Sequence, residues 1–256
     1  MAVNLSLENK VALITGGSRG IGAACVRMFV DAGAKVIFNY QQAQEAADAL
    51  VLELGSLNCH AVQADLDGEG AEQMLVEDAV KQYGRLDALV VNHGIWPPKD
   101  QPIDQMSAEQ WQGTMAVNLD SVFLLVKHSV AQMKQQGEGG KIVLVSSTAG
   151  QRGEAFHCDY AATKGAIISM VKGLSTELAR DGIQVNCVAP GWVTTDMTTP
   201  VLSDPAKGER ILSTIPLGRV GKPEELAAPI LFLCTEHAGF ITGEVFNVNG
   251  GAVLVG

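Results

Sequence analysis

Short, almost continuously apolar runs alternate with longer amphipathic stretches along the whole chain. Segments 10–15 (KVALIT), 35–40 (KVIFNY), 87–91 (DALVV), 141–146 (KIVLVS) and 183–188 (IQVNCV) read as strands. They show no polar face, as expected of parallel strands covered on both sides. Segment 59–63 is a weaker strand candidate, and 244–248 reads as a last strand. Between them, 22–32, 44–54, 70–83, 108–135, 160–180 and 223–235 carry helical patterns. Such alternation predicts an α/β fold built on a doubly wound, Rossmann-type parallel sheet. No linker or repeat divides the chain, so 1–256 reads as a single domain. Segment 194–219 breaks the rhythm with Pro200, Pro205 and Pro216. It reads as a lid-like excursion over a site, or as an ordinary surface loop.

The chain's 256 residues, 47% of them hydrophobic, suffice for a full core without disulfide or metal staples. With 18 basic against 28 acidic residues, the net charge of -10 offers no bulk attraction to nucleic acid or to an anionic membrane. Five scattered cysteines form no C-x-x-C pair and no zinc-ligand spacing, which points to reduced thiols in a cytoplasmic protein. The amino-terminal stretch lacks the pattern of a secretory leader, and no apolar run approaches the ~18 residues of a membrane span.

After the first strand, Thr15-Gly16-Gly17-Ser18-Arg19-Gly20-Ile21-Gly22 leads into a helix. A dinucleotide site needs such a strand, glycine turn and helix. The glycines let the backbone turn sharply against a pyrophosphate, which sits on free N–H groups at the helix start. The spacing of Gly16, Gly20 and Gly22 is G-x-x-x-G-x-G rather than the commoner G-x-G-x-x-G, and in a chain with 28 glycines it is not specific alone. Asn92-His93-Gly94 follows the fourth strand at the same sheet edge. By itself it is turn chemistry.

Tyr160 and Lys164 lie four apart at the start of a helical pattern and so share a face. A phenol titrating near 10 needs a stabilised anion to work at neutral pH, and a nearby ammonium provides that. Ser146 and Ser147 end the fifth strand at the same edge. Asn118, flanked by apolar residues inside a helical pattern, is either a satisfied structural amide or part of a site.

Together these residues resemble the short-chain dehydrogenase/reductase family. TGGSRGIG at 15–22 is similar to its TGxxxGxG, and NHG at 92–94 to its NNAG turn, with His93 where alanine is usual. Asn118, Ser147, Tyr160 and Lys164 match its catalytic tetrad, the S-x12-Y-x3-K spacing selecting Ser147 over Ser146. Pro190, Gly191, Val193 and Thr194 match its PG-x-V-x-T segment. Within the family the chain looks most like the 3-oxoacyl-[acyl-carrier-protein] reductase group.

The resemblance implies about seven parallel strands, a homotetramer and a nicotinamide cofactor. It further implies that Tyr160 protonates the carbonyl oxygen while Ser147 hydrogen-bonds it. Lys164 would lower the Tyr160 pKa and hold the nicotinamide ribose, and Asn118 would hold a relay water. Tyr160, Lys164, Gly16, Ser18, Arg19, Gly20, Ile21, Gly22, Asn39, Asp65, Leu66, Asn92 and Gly94 then become cofactor contacts, with the PG-x-V-x-T residues. The second strand ends Phe38-Asn39-Tyr40-Gln41 without a carboxylate, and Arg19 offers a guanidinium. Both features favour NADP(H) over NAD(H). The alternative is that Arg19 packs on the adenine while Asn39 takes a ribose hydroxyl, which leaves NAD(H) open.

The substrate is less legible. Trp96 and Trp192 fall on segments that should line the pocket, as apolar walls or as plain packing. Arg152 meets an anionic substrate or is a solvated loop residue. His93 and His157 lie near the site without the partners of a metal ligand set. A carrier-protein reductase needs a basic landing patch, yet the segments to inspect read Gln135-Gln136-Gly137-Glu138 and Arg180-Asp181. Asp181 stands where a base is expected. A small free ketone, sugar or secondary alcohol, not linked to a carrier, is therefore the alternative substrate. A methyl-donor transferase or a silent relative would have no use for the aligned tetrad. The apolar tail 247–256 is more easily explained if a neighbouring subunit covers it, packing back on its own subunit being the alternative.

Overall fold

Alternate side chains of each inner strand enter opposite cores, which is why these runs lack a polar face. The computed structural model describes residues 5–67 and 70–254. Residues 1–4 of the leader reading and 255–256 of the apolar tail lie outside the described residues. In chain order the first half holds β1 (Val11–Ile14), α1 (Gly20–Asp31), β2 (Lys35–Tyr40), α2 (Gln44–Leu54), β3 (Cys59–Gln63), α3 (Ala71–Tyr83) and β4 (Ala88–Val91). Then come α4 (Ala108–Met115), a π-turn at Ala116–Asp120, α5 (Ser121–Gln136), β5 (Gly140–Val145), α6 (Thr148–Arg152) and α7 (Cys158–Leu178). The chain continues with β6 (Ile183–Pro190), α8 (Thr199–Leu202), α9 (Pro205–Ser213), α10 (Pro223–Cys234) and β7 (Val245–Val248).

All seven strands are parallel, in the order β3-β2-β1-β4-β5-β6-β7. Leu13, Ile37, Leu89 and Ile142 join one core with Leu75 of α3, Leu125 of α5 and Val171 of α7. Ile14, Phe38, Val90 and Val143 join the other with Phe29 of α1, Leu50 of α2 and Ile230 of α10. Each such side chain, taken fully from water, contributes roughly 1.5–3 kcal/mol, an upper estimate. The order in which strands are added reverses between β1 and β4, neighbours in the sheet. A crevice opens at the carboxyl ends of strands at such a switch point.

The continuous helix expected over 108–135 is interrupted. The π-turn adds one residue to a helical turn and carries Asn118, whose side chain is completely buried. A local excess of one residue leaves the apolar pattern intact, so periodicity does not register it. The segment after β6 is not structureless, since it forms α8 and α9. No helix among the described residues is long and apolar enough to cross a membrane.

Candidate active site

The glycine turn after β1 is held by side chains from the neighbouring strands. Both ends of the Asn39 amide are engaged. Oδ1 accepts the Gly16 N–H at 2.8 Å, and Nδ2 donates to the Ala64 carbonyl at 3.0 Å. Asn92 Nδ2 donates to the carbonyls of Thr15 and Gly16. A Cβ on Gly22 would lie 2.0 Å from the Gly16 carbonyl oxygen, so only glycine lets α1 start this close to the turn. The free N–H groups of that start face a groove of about 570 Å³, a volume in the ligand-pocket range.

The groove runs from the end of β2 to α7. Among the sequence-predicted residues, Gly16, Ser18, Arg19, Gly20, Ile21, Asn39, Asp65, Leu66, Asn92, Gly94, Pro190, Gly191 and Val193 line it, with Ser147, Tyr160 and Lys164. Gly22 packs behind the turn, and Thr194 is exposed off the groove; counted from Pro190, the threonine of PG-x-V-x-T is Thr195, which does line it. Asn118 lies beneath the lining: a Cβ on Gly94 would sit 3.2 Å from Asn118 Oδ1 and 3.4 Å from Lys164 Nζ. Sequence reasoning missed Tyr40, Gln41, Asp67 and, from the excursion, Thr195, Asp196, Met197 and Thr198, all of which line the groove. Arg19 is already paired, its Nη1 donating to Asp196 Oδ2 at 3.1 Å.

His93 forms a three-way bridge. Its Nε2 lies 3.1 Å from the Val117 carbonyl and 2.8 Å from Ser121 Oγ, and its Nδ1 lies 2.7 Å from Thr15 Oγ1. A carbonyl only accepts, and Ser121 spends its own proton on that same carbonyl, so Nε2 carries the hydrogen and Nδ1 accepts from Thr15. Burial first, and the Lys164 charge second, hold the His93 pKa down to about 3. The ring is a neutral strut between β1, β4 and the π-turn.

At the inner end, Ser147 caps α6 by accepting the Ala149 N–H at 3.1 Å. The neighbouring Ser146 is buried and donates to the Lys164 carbonyl at 2.7 Å, leaving Ser147 as the hydroxyl beside Tyr160. Burial pushes the Tyr160 phenol up to about 12 and a hydrogen bond with the Ser147 side chain opposes that rise, so the lowering expected from Lys164 is not what the structure shows. Lys164 Nζ lies 5.7 Å from the Tyr160 ring centre and donates to the Val145 carbonyl at 2.9 Å. Burial lowers its pKa to about 8. At neutral pH the phenol therefore keeps its proton and the amine stays mostly charged, the pairing that an acid donating to a carbonyl oxygen requires.

Trp96 and Trp192, expected as pocket walls, do not line the groove but meet each other edge to face at 6.0 Å, the packing alternative. Trp96 also stacks on His157 at 4.6 Å, and its indole N–H donates to Glu154 Oε1 at 3.2 Å. Arg152 is exposed and lines a shallow surface hollow between α6 and α7 rather than the main groove. Glu154 carried no signal in the sequence, because a lone loop carboxylate reads as solvated. Asp181 is bound by Lys134 at 2.8 Å.

The family model described as Enoyl-(Acyl carrier protein) reductase matches residues 16–253. The chain is 39% identical over 252 residues to a 3-oxoacyl-[acyl-carrier-protein] reductase of Synechocystis sp., covering 97% of this chain and 99% of that protein. It is 41% identical over 252 residues to the 3-oxoacyl-[acyl-carrier-protein] reductase FabG of Thermotoga maritima, covering 98% and 100%. In structure it is similar to a short-chain dehydrogenase/reductase of Brucella melitensis titled Glucose/ribitol dehydrogenase. That match has a TM-score of 0.90 at 34% identity and covers 99% of this chain and 100% of the other.

Proposed function

Because this chain belongs to the short-chain dehydrogenase/reductase family, we propose that it reduces a 3-oxoacyl thioester to the 3-hydroxyacyl thioester with NADPH. The family makes it an oxidoreductase of the carbonyl/alcohol pair that uses a nicotinamide cofactor. The meeting of Tyr160, Ser147 and Lys164 at the inner end of the groove supports carbonyl reduction, and the printed names of the relatives support the thioester.

The residues present suit a dinucleotide, since the groove is walled by a glycine turn that admits no Cβ at Gly22. Gly16, Ser18, Arg19, Gly20 and Ile21 would hold the pyrophosphate, and Asp65 and Leu66 the adenine. Asn92, Gly94, Pro190, Gly191, Val193 and Thr195 would hold the nicotinamide half, with Tyr160 and Lys164 on its ribose. When bound, the nicotinamide supplies the hydrogen and two electrons that the carbonyl carbon gains.

Tyr160 gives its proton to the carbonyl oxygen. Ser147 donates a hydrogen bond to that oxygen as its negative charge develops. The Lys164 ammonium then stabilises the phenolate left on Tyr160. Asn118 acts from beneath, in the proton path that refills Tyr160 by way of Lys164. NADP(H) is favoured over NAD(H) by Arg19 on the groove and by the absence of a carboxylate at the end of β2. Segment 194–219 serves as a lid, which Asp196, Met197 and Thr198 on the groove support. Free thiols suit a cytoplasmic setting. The exposed Phe123 and Phe240 suit burial in a homotetramer.

A second reading, reduction of a small free carbonyl compound, is favoured by one observation. Asp181, near where a carrier protein needs a base, occupies Lys134 and leaves that pair neutral. The test is a comparison of NADPH and NADH with a 3-oxoacyl group on acyl carrier protein, on coenzyme A and as a free ester, beside free ketones and sugars. The proposal expects the highest kcat/KM for the carrier-linked thioester with NADPH. Preference for a free sugar, or no turnover of any thioester, overturns it.

A further inference from the structure

The excursion that follows β6 returns onto the glycine turn at the edge of the groove. Its base is closed by backbone pairing, the Thr194 N–H donating to the Gly221 carbonyl at 3.0 Å and the Gly221 N–H to the Trp192 carbonyl at 2.8 Å. Beyond that base, Thr198 Oγ1 accepts the Thr195 N–H at 3.1 Å and donates to the Val193 carbonyl. A Cβ on Gly20 would lie 3.2 Å from the Thr195 methyl, so this bonded turn packs on the start of α1. Asp196 is thereby placed opposite Arg19, whose Nη1 donates to Asp196 Oδ2 at 3.1 Å. Asp196 hangs on a short side chain from a bonded backbone, whereas Arg19 reaches it with a long flexible one. Arg19 is the partner that can move.

The charges around this pair are few. Among the described residues that line the groove, Asp65, Asp67 and Asp196 are acidic, Arg19 and Lys164 are basic, and His93 is neutral. Lys164 is buried at the inner end, where it donates to the Val145 carbonyl. Both Asp65 oxygens are engaged, one by Gln41 Nε2 at 2.8 Å and the other by the Asp67 N–H at 3.1 Å. Arg19 is therefore the exposed cation of the groove, and its partner on the excursion is an acid. A phosphate reaching that guanidinium meets the Asp196 carboxylate as a rival for Nη1 and as a like charge close by.

Resting on the assignment of Arg19 to the 2′-phosphate, we propose that Asp196 is a specificity-determining residue that competes with the 2′-phosphate for Arg19 and so holds back the discrimination of NADP(H) from NAD(H). NAD(H) has no group for the Arg19 guanidinium and binds with the Arg19–Asp196 pair in place. NADP(H) gains its extra contact only by drawing Arg19 from Asp196. The ratio of the two affinities isolates this exchange, because any effect of Asp196 on the part that the cofactors share cancels. An exposed ion pair is weak, which limits the exchange to a few-fold change in that ratio.

The test measures the Kd of NADPH and of NADH by cofactor fluorescence in the wild type, Asp196→Asn, Asp196→Glu, Arg19→Ala and the Arg19→Ala/Asp196→Asn double variant. Asp196→Asn keeps the shape and removes the charge, and should raise the preference for NADPH over NADH about threefold. That gain should shrink as salt rises. Asp196→Glu keeps the charge and should keep the wild-type preference. In the Arg19→Ala background Asp196→Asn should change the preference no further, since the two residues act through one contact. An unmoved preference in Asp196→Asn, or the same gain with and without Arg19, overturns the proposal. If Arg19→Ala itself leaves the preference unchanged, the assignment of Arg19 to the 2′-phosphate falls, and this proposal with it. If Arg19→Ala lowers the preference while Asp196→Asn does not raise it, the proposal falls alone.

Discussion

The side-chain amide of Asn118 grips the backbone of Ile95 by both ends, Nδ2 donating to its carbonyl and Oδ1 accepting its N–H, each at 2.8 Å. The π-turn makes this grip, because it carries the buried Asn118 to the loop that leaves β4. Gly94 and Ile95 line the groove, so what holds them also holds one wall of the site.

Asn118→Ala removes both bonds and leaves two backbone groups to find water. Ile95 is partly exposed, so the stability loss should be about 1–2 kcal/mol in urea unfolding, below the cost of two fully buried orphans. The kcat for ketone reduction should fall at least about tenfold, with a smaller change in cofactor Kd. A variant of wild-type kcat would remove Asn118 from the site.

Arg19 lies at the start of α1, with Asp196 of the excursion as its partner. Both side chains are more than half exposed, so the pair itself is weak and readily exchanged for a phosphate. Arg19→Ala should weaken NADPH binding about tenfold while NADH changes less than about threefold, measured by cofactor fluorescence. Equal weakening of both cofactors would contradict the assignment of Arg19 to the 2′-phosphate.

His93 predicts an acid sensitivity. Its folded pKa of about 3 lies below the ordinary 6.5, because burial disfavours the charged ring. Between those values the unfolded chain binds a proton that the folded chain does not, so stability rises with pH across this window and is lost on acidification. Urea unfolding from pH 7 to pH 5 should cost the wild type about 1–2 kcal/mol more than His93→Gln. Parallel losses would mean that His93 titrates normally.

Much of this architecture is legible in the sequence, for identifiable reasons. Strands buried on both faces print themselves as apolar runs, which gives β1, β2, β4, β5 and β6 directly. Backbone constraints print themselves as glycine, which marks the turn after β1. Tyr160 and Lys164 are legible as a pair one helical turn apart, whereas Ser147 is selected over Ser146 only by the resemblance to the family's spacing. Interactions across distant segments leave no such trace. Nothing in a lone Glu154 announces the indole of Trp96, nor does Arg19 announce Asp196. Asn39 reads as a candidate ribose contact, yet its amide is engaged at both ends by the backbone of Gly16 and Ala64. The π-turn is silent for a different reason, because it shifts geometry without altering the apolar pattern.

The central claim is that the Tyr160 hydroxyl delivers a proton to a carbonyl oxygen at the end of a dinucleotide groove. Its most direct test is ketone-dependent oxidation of NADPH by Tyr160→Phe, measured alongside NADPH binding. Loss of turnover by about a thousandfold or more, with cofactor Kd within about threefold of wild type, is the predicted result. Wild-type turnover in the phenylalanine variant would contradict it.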